Sequence, residues 1–217
     1  MNALTMFEKR LRRAACAVAL VLPWAAVAGS YEDFFIAVRN DFAPKVAALL
    51  ERGFDPNSRD PNGQTGLTLA MQERSLKTAR VLLASASIDV NALNKSGESA
   101  LMMAALKGDL EGMRLLLERG SRVDLPGWSP LHYAATGPEP AAVKLLLERG
   151  ATIDAKSPNG TTPLMMASQY GAEDSVTMLL ERGANASLRN DSGQGVLEFA
   201  QRSGREPLIR RVQSLPR

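Results

Sequence analysis

A histidine three residues after a serine, a single cysteine and two methionine pairs are the places where this 217-residue chain could do chemistry. Ser129 and His132 could open a nucleophilic pair, but such a pair needs an acid to orient the histidine. Ser129 is also simply the first residue of a motif that recurs along the chain. A zinc site would need carboxylates beside His132, the only histidine, and no two ligands fall at a familiar spacing. Met102-Met103 and Met165-Met166 lie within the apolar register of helical segments, where methionine fills a core rather than binding haem or copper. Gly63 and Gly66 are not followed by the lysine of a phosphate-binding loop. These residues predict no catalytic group, no cofactor and no metal, and a chain that is not an enzyme.

The elements that carry them are periodic. The pattern x-x-Leu-x-x-Ala begins at Thr65, Ser99, Ser129, Thr162 and Gly195, in steps of 34, 30, 33 and 33 residues. A period near 33 predicts a solenoid, in which each unit buries its apolar face only against its neighbours. A second pattern follows the first: Val46–Gly53 recurs as Met113–Gly120, Val143–Gly150 and Val176–Gly183. Its small apolar residue and leucine pair fall at i, i+3 and i+4, one face of a helix. The closing glycine suits the left-handed residue that stops a helix, and the arginine before it complements the C-terminal dipole. Asp60-Pro61-Asn62-Gly63, Asn94-Lys95-Ser96-Gly97 and Ser157-Pro158-Asn159-Gly160 then supply turn chemistry.

This arrangement resembles the ankyrin repeat, whose first helix opens with Thr-Pro-Leu-His-x-Ala. Ser129–Ala134 matches that motif almost fully and Thr162–Ala167 matches it well. The resemblance covers residues 31 to 214. It implies an all-α ankyrin-repeat solenoid of helix-turn-helix units with projecting turns, over approximately 31–58, 59–91, 92–124, 125–154, 155–187 and 188–215. It also implies that His132 hydrogen-bonds between neighbouring turns. The first unit lacks the turn and the motif. The last replaces its leucine run with Ile209-Arg210-Arg211-Val212-Gln213, as a polar end unit should.

Three departures from the period stand out. Gly120 to Ala134 spans 14 residues where Gly150 to Ala167 spans 17, so the turn at Asp124–Trp128 is three residues short. Ala84-Ser85-Ala86-Ser87 replaces the helix-ending Glu-Arg-Gly, which predicts the loosest junction. Pro138 takes the place of Gly108 and Gly171 in the loop between helices.

Before the repeats, Lys9, Arg10, Arg12 and Arg13 precede an apolar run, Ala14–Leu22, then Pro23 and Ala26-Val27-Ala28. A basic start, a short apolar stretch and a small-x-small site predict a secretory signal peptide over 1–28, cleaved before Gly29. Ala14–Ala28 is 15 residues, shorter than the about 20 needed to span a bilayer. No stable membrane anchor is therefore expected after cleavage. Cys16 lies at the start of the apolar run, not at its end where a lipid-bearing cysteine belongs, and the residues flanking Arg12-Arg13 do not fit a twin-arginine signal well.

Of 26 basic and 23 acidic residues, four and one lie in this segment, leaving 22 of each. A near-neutral mature chain has no electrostatic case for binding nucleic acid. It also has no cysteine, hence no disulfide. Asn94, Asn159, Asn185 and Asn190 fit the glycosylation pattern, but asparagine belongs in such turns for backbone reasons. The bacterial look of the N-terminal segment favours the periplasm.

In ankyrin repeats the concave face is built from the projecting turns and the exposed residues that end each first helix. Carried over, that frame gives Arg39/Asn40, Gln72/Glu73, Leu106/Lys107, Thr136/Gly137, Gln169/Tyr170 and Arg202/Ser203, with Gln64, Glu98, Trp128, Thr161 and Gln194 from the turns. Most are polar. Leu106, Trp128 and Tyr170 fall in consecutive central units, and aromatic anchors inside a polar rim mark binding hot spots. The expected partner-binding residues are thus Leu106, Lys107, Trp128, Gln169 and Tyr170. For Trp128 two roles stay open, recognition or folding back over the shortened turn.

The expected function is a periplasmic, monomeric scaffold binding a protein partner. Two narrower readings come only from the resemblance. One is an immunity or inhibitor protein neutralising a toxic enzyme in the same compartment; the other is an accessory factor to an oxidative-stress enzyme.

Overall fold

The structure is a computed structural model that describes residues 22–214, with side chains described from residue 29. The basic start and most of the apolar run of the expected signal peptide lie outside the described residues. Among those described, twelve helices run in order: α1 Leu22–Arg39, α2 Ala43–Glu51, α3 Gly66–Glu73, α4 Leu76–Ala84, α5 Ala100–Leu106, α6 Leu110–Glu118, α7 Pro130–Thr136, α8 Pro140–Glu148, α9 Pro163–Tyr170, α10 Glu173–Glu181, α11 Val196–Ser203 and α12 Glu206–Gln213. They pair into six antiparallel units. Odd-numbered helices stack in one row, each on its neighbour, and even-numbered helices α2 to α10 stack in a second. Helix α1 runs through the expected cleavage point between Ala28 and Gly29. No described helix is long and apolar enough to cross a membrane.

Local chemistry sets the helix ends as the pattern requires. Thr65 and Ser99 accept hydrogen bonds from the backbone N–H three residues on, at 3.1 and 3.2 Å, satisfying an orphan donor. Pro130 and Pro163 occupy first helical positions, where the missing N–H costs nothing. Gly53, Gly120, Gly150 and Gly183 end four outer helices at φ of 85–89°, a region closed to most side chains. Gly66 stands where those prolines stand, because the Phe34 ring fills the space: a Cβ there would lie 2.7 Å from it. Phe35 packs edge-on with both Tyr31 and Phe34, and Phe54 lies tilted against Phe34, forming an aromatic cluster in unit one.

The core follows the repeat. Leu67, Leu101, Leu131 and Leu164 of the inner helices are buried, as are Leu82, Leu116, Leu146 and Leu179 of the outer ones. Truncating one such leucine to alanine costs roughly 2–5 kcal/mol.

A side-chain ladder joins the units along the outer loops. Asn57 accepts from Asp89 N (2.8 Å), Asn91 from Arg122 N (2.9 Å), Asp124 from Thr152 N (3.1 Å) and Asp154 from Asn185 N (3.0 Å). Each rung joins consecutive units and fixes their spacing. At the last junction Arg205 does this work differently, donating to Gly171 O (2.7 Å) and Ser168 O (2.8 Å) at the C-terminus of α9. A cation there meets the unsatisfied carbonyls and the negative dipole end.

One expectation is refined and a second is corrected. Pro138 stands in the register of Gly108 and Gly171 and alters the loop between the helices. Gly137 does the work of Gly171: both are extended residues that end α7 and α9, pressed against the preceding inner helix. A Cβ on Gly137 would lie 2.9 Å from Leu106 O, and one on Gly171 2.0 Å from Ala135 O. Gly108 is instead left-handed, at φ 65°. Helix α7 therefore stops one residue sooner than α9, and Pro138 is exposed.

The second concerns Met166, which is not core: Met102, Met103 and Met165 are buried, but Met166 is only half-buried. At the Ala84 to Ile88 junction, α4 ends on an extended Ser85 with no left-handed glycine. Asn57 reaches across it, donating to Ser87 O at 2.8 Å.

Candidate partner-binding site

Four units carry a hydrogen-bonded projecting turn. Asp60 N donates to Gln64 O (2.8 Å), Asn94 N to Glu98 O (2.9 Å), Ser157 N to Thr161 O (3.0 Å) and Asn190 N to Gln194 O (2.9 Å). Unit four has no such pair among the described backbone bonds. Ladder residues Asn57, Asn91 and Asp154 stand eight positions before Thr65, Ser99 and Thr162, whereas Asp124 stands five before Ser129. The missing three residues are the turn itself, so Trp128 leads almost directly into α7.

Behind that gap lies His132. It is buried, and Ser129 N donates to its Nδ1 at 3.1 Å. Nδ1 is thus the acceptor and Nε2 carries the proton, donated to Thr161 O at 3.0 Å. Burial lowers its pKa below the usual 6.5 and outweighs the carbonyl bonds that raise it. The imidazole is a neutral link between units four and five. Ser129 is also fully buried, so its hydroxyl meets no substrate. Among the described residues no three His, Cys, Asp or Glu side chains gather as metal ligands.

The Trp128 ring stands edge-on to His132, centroids 5.2 Å apart at 78°. Its other surface lines an open groove of about 270 Å³ with Leu106, His132, Tyr133, Thr136 and Met166. Trp128 therefore packs and lines a surface at once. Tyr133 is half-buried and donates its hydroxyl to Glu98 Oε1 at 3.0 Å; burial and that carboxylate push its pKa well up. The Asn94 amide holds the other Glu98 oxygen at 2.8 Å.

Of the expected residues, the groove brings Leu106 and Trp128 together. Lys107 is exposed next to Leu106, Gln169 is half-buried, and Tyr170 is 59% exposed at the end of α9, outside the groove lining. Gly137 and Thr161, expected on the concave face, are buried. Gly137 presses on α5, and the Thr161 carbonyl serves His132.

Tyr133 and Met166 were not foreseen. They occupy one repeat position, with Leu69, Met103 and Phe199, and that column of large side chains was the available signal. Only in units four and five, beside the missing turn, is it left partly open.

The family model for ankyrin repeats (3 copies) matches residues 34–126 and 122–190. This chain belongs to the ankyrin-repeat family. The mouse B-cell lymphoma 3 protein homolog is 35% identical over 143 residues, 63% of this chain and 32% of that protein. Human SH3 and multiple ankyrin repeat domains protein 2 is 35% identical over 141 residues, 62% of this chain and 8% of its own length. The chain thus spans a third or less of these curated relatives. The crystal structure of the Bcl-3 ankyrin repeat domain superposes with a TM-score of 0.69 at 32% identity, covering 83% of this chain and 81% of that one. A chain from the complex of the predatory endopeptidase Bd0816 of Bdellovibrio bacteriovorus with immunity protein Bd3460 superposes at 0.73, with 22% identity, covering 85% of this chain and 98% of that one. Ankyrin repeats are protein-interaction modules, and the matches indicate no catalytic family.

Proposed function

We propose that this ankyrin solenoid is a protein-binding scaffold that works in the periplasm, capturing its partner on the concave face around Leu106, Lys107, Trp128, Gln169 and Tyr170. The observation that carries the proposal is the apolar groove opened by the missing turn of unit four, with exposed Tyr170 one unit further along. Aromatic side chains in partly desolvated pockets dominate binding energy, each costing about 2 kcal/mol or more when truncated. A Trp128→Ala, Tyr170→Ala double variant should therefore lose partner capture while keeping its helical circular dichroism. Normal capture by a folded double variant would rule out this face.

The compartment rests on the basic start, short apolar run and Ala-x-Ala site. An intact mass beginning at Gly29 in the periplasmic fraction supports it; a cytoplasmic species that keeps Met1 refutes it. The narrower reading is an inhibitor of a toxic enzyme in that compartment, suggested by the likeness to a chain from an endopeptidase–immunity complex. It predicts that the purified chain blocks an enzyme encoded beside it, at one-to-one stoichiometry.

A further inference from the structure

We infer that the outer face of unit one seats a second copy of this chain, about a two-fold axis that lays α1 of each protomer on α2 of the other. The contact lies outside the concave face of the scaffold reading and replaces the monomer expected from the sequence.

A solenoid needs a polar outer face on its end units. The C-terminal end has one: α12 turns Glu206, Arg210, Arg211 and Gln213 to solvent and buries Leu208, Ile209 and Val212. The N-terminal end is different. Phe34 of α1 fills the space at Gly66 in unit two. Residues two apart on a helix point about 200° apart, so Ile36 faces away from unit two, and it is 53% exposed. Phe42, in the loop between α1 and α2, is equally exposed. With Pro44, Ala48 and Leu49 it lines an apolar hollow of about 380 Å³ on the same end. In later units the matching helix faces are covered by the unit before.

The charges of this end select its occupant. Glu32 and Asp33 lie on α1. Lys45 of α2 and Arg52, the residue that closes it, are seven residues apart and so share one side of that helix. Asp33 and Lys45 meet at 2.9 Å, both largely open to solvent, and Arg52 borders the hollow with them. The other charges of unit one are turned elsewhere. Arg39 reaches Asp60 at 3.7 Å, Asp41 accepts from Thr78 N at 2.8 Å, and Asp55 accepts from Asn57 N at 2.9 Å. Glu51 lies about a third of a turn round α2 from Lys45.

The face is therefore acidic along α1 and basic along α2. A partner charged with one sign would be attracted by one row and repelled by the other. A second copy, turned about an axis that runs between the two helices and parallel to them, sets each acidic row on a basic row. The Asp33 and Lys45 side chains then exchange partners across the contact, and each Ile36 comes over the apolar surface beside the other protomer's α2. Such a self-complementary patch is what a two-fold interface requires. Its footprint is two short helices a side, so the dimer belongs to the small, reversible class, with a dissociation constant of about 10 µM or weaker.

The test is sedimentation of the purified full chain from about 5 to 500 µM, with its N-terminus fixed by intact mass. The average mass should rise from monomer toward dimer. Ile36→Ser should weaken association tenfold or more with circular dichroism unchanged, because the side chain is exposed. Asp33→Lys and Lys45→Glu should each leave a folded monomer, since an exposed ion pair adds little to folding. An equimolar mixture of those two variants restores opposite charges at both crossings and should dimerise again. A monomer at every concentration overturns the inference, including one whose face is taken by the segment before Leu22. So does association that survives either charge reversal, or a mixture that stays monomeric.

Discussion

Replacing His132 by alanine tests the link on which units four and five depend. The ring accepts from Ser129 N at 3.1 Å and donates to Thr161 O at 3.0 Å, all three residues being buried. Without the ring, the Ser129 N–H has no partner, costing about 1–3 kcal/mol. The Thr161 carbonyl keeps Ser157 N at 3.0 Å, so that loss is nearer about 1 kcal/mol. Trp128 also loses the edge it packs on. Together these predict a loss of about 3 kcal/mol, read by urea unfolding at pH 7.5.

The pH dependence separates this bond from mere packing. His132 has a folded pKa below 6.5, so below that pH the unfolded chain takes up a proton that the folded chain does not. Stability must fall as pH drops from about 6.5 toward the folded pKa, with a slope of at most about 1.4 kcal/mol per pH unit for one proton. Above about 6.5 the group is neutral in both states and contributes no slope. The His132→Ala variant lacks this component, so the gap between the two proteins should narrow on acidification. Parallel curves from pH 7.5 to 5.5, or a loss under about 1 kcal/mol, would refute the reasoning.

Further consequences follow from other contacts. Gly171→Ala places a Cβ 2.0 Å from Ala135 O, which only a backbone shift relieves, and should cost about 3 kcal/mol or more in urea titration. Arg205→Met removes the donors that close α9 and should cost about 1.5–3 kcal/mol, with faster hydrogen exchange confined to units five and six. Because α4 ends without a left-handed glycine, amides in 31–90 should exchange faster than those in 100–182; equal protection across both stretches would refute the weak-junction reading.

The leucine and alanine positions of every unit were legible because they recur, and a recurring apolar face can only be a stacked one. The left-handed glycines at 53, 120, 150 and 183 were legible for the same reason. The His132 link came from the motif it belongs to. The groove was half legible: Leu106 and Trp128 stand out by type, while Tyr133 and Met166 look like core. Whether a side chain at that position is covered depends on the turn of the neighbouring unit, a contact no single unit's pattern contains. The roles of Gly137 and Pro138 were hidden likewise. One residue of helix length decides which of the two meets the carbonyls of α5, and helix ends are the least readable part of a sequence.

The missing turn is the feature on which groove and function converge, and restoring it is the most direct test. Asp154 and Thr161 are separated by residues 155–160, whereas Asp124 and Trp128 are separated only by Leu125, Pro126 and Gly127. Substituting a copy of 155–160 for 125–127 would give unit four the same length as unit five. The Asp124 rung to Thr152 N and the start of α7 lie outside the exchanged segment, so both should survive. In the copied turn the copy of Ser157 N would donate to Trp128 O, as Ser157 N donates to Thr161 O in unit five. The exchange removes Leu125, half-buried against the core, which costs roughly 1–2 kcal/mol, so helical circular dichroism must first show that the variant is folded. The new turn would stand beside Trp128 and fill the approach to Leu106 and Met166. Partner capture should then fall at least tenfold, with Trp128 fluorescence shifted to shorter wavelength in the free protein. Unchanged capture by a folded variant would mean that the partner never enters the notch, and that the three-residue deletion is a neutral shortening of a surface loop.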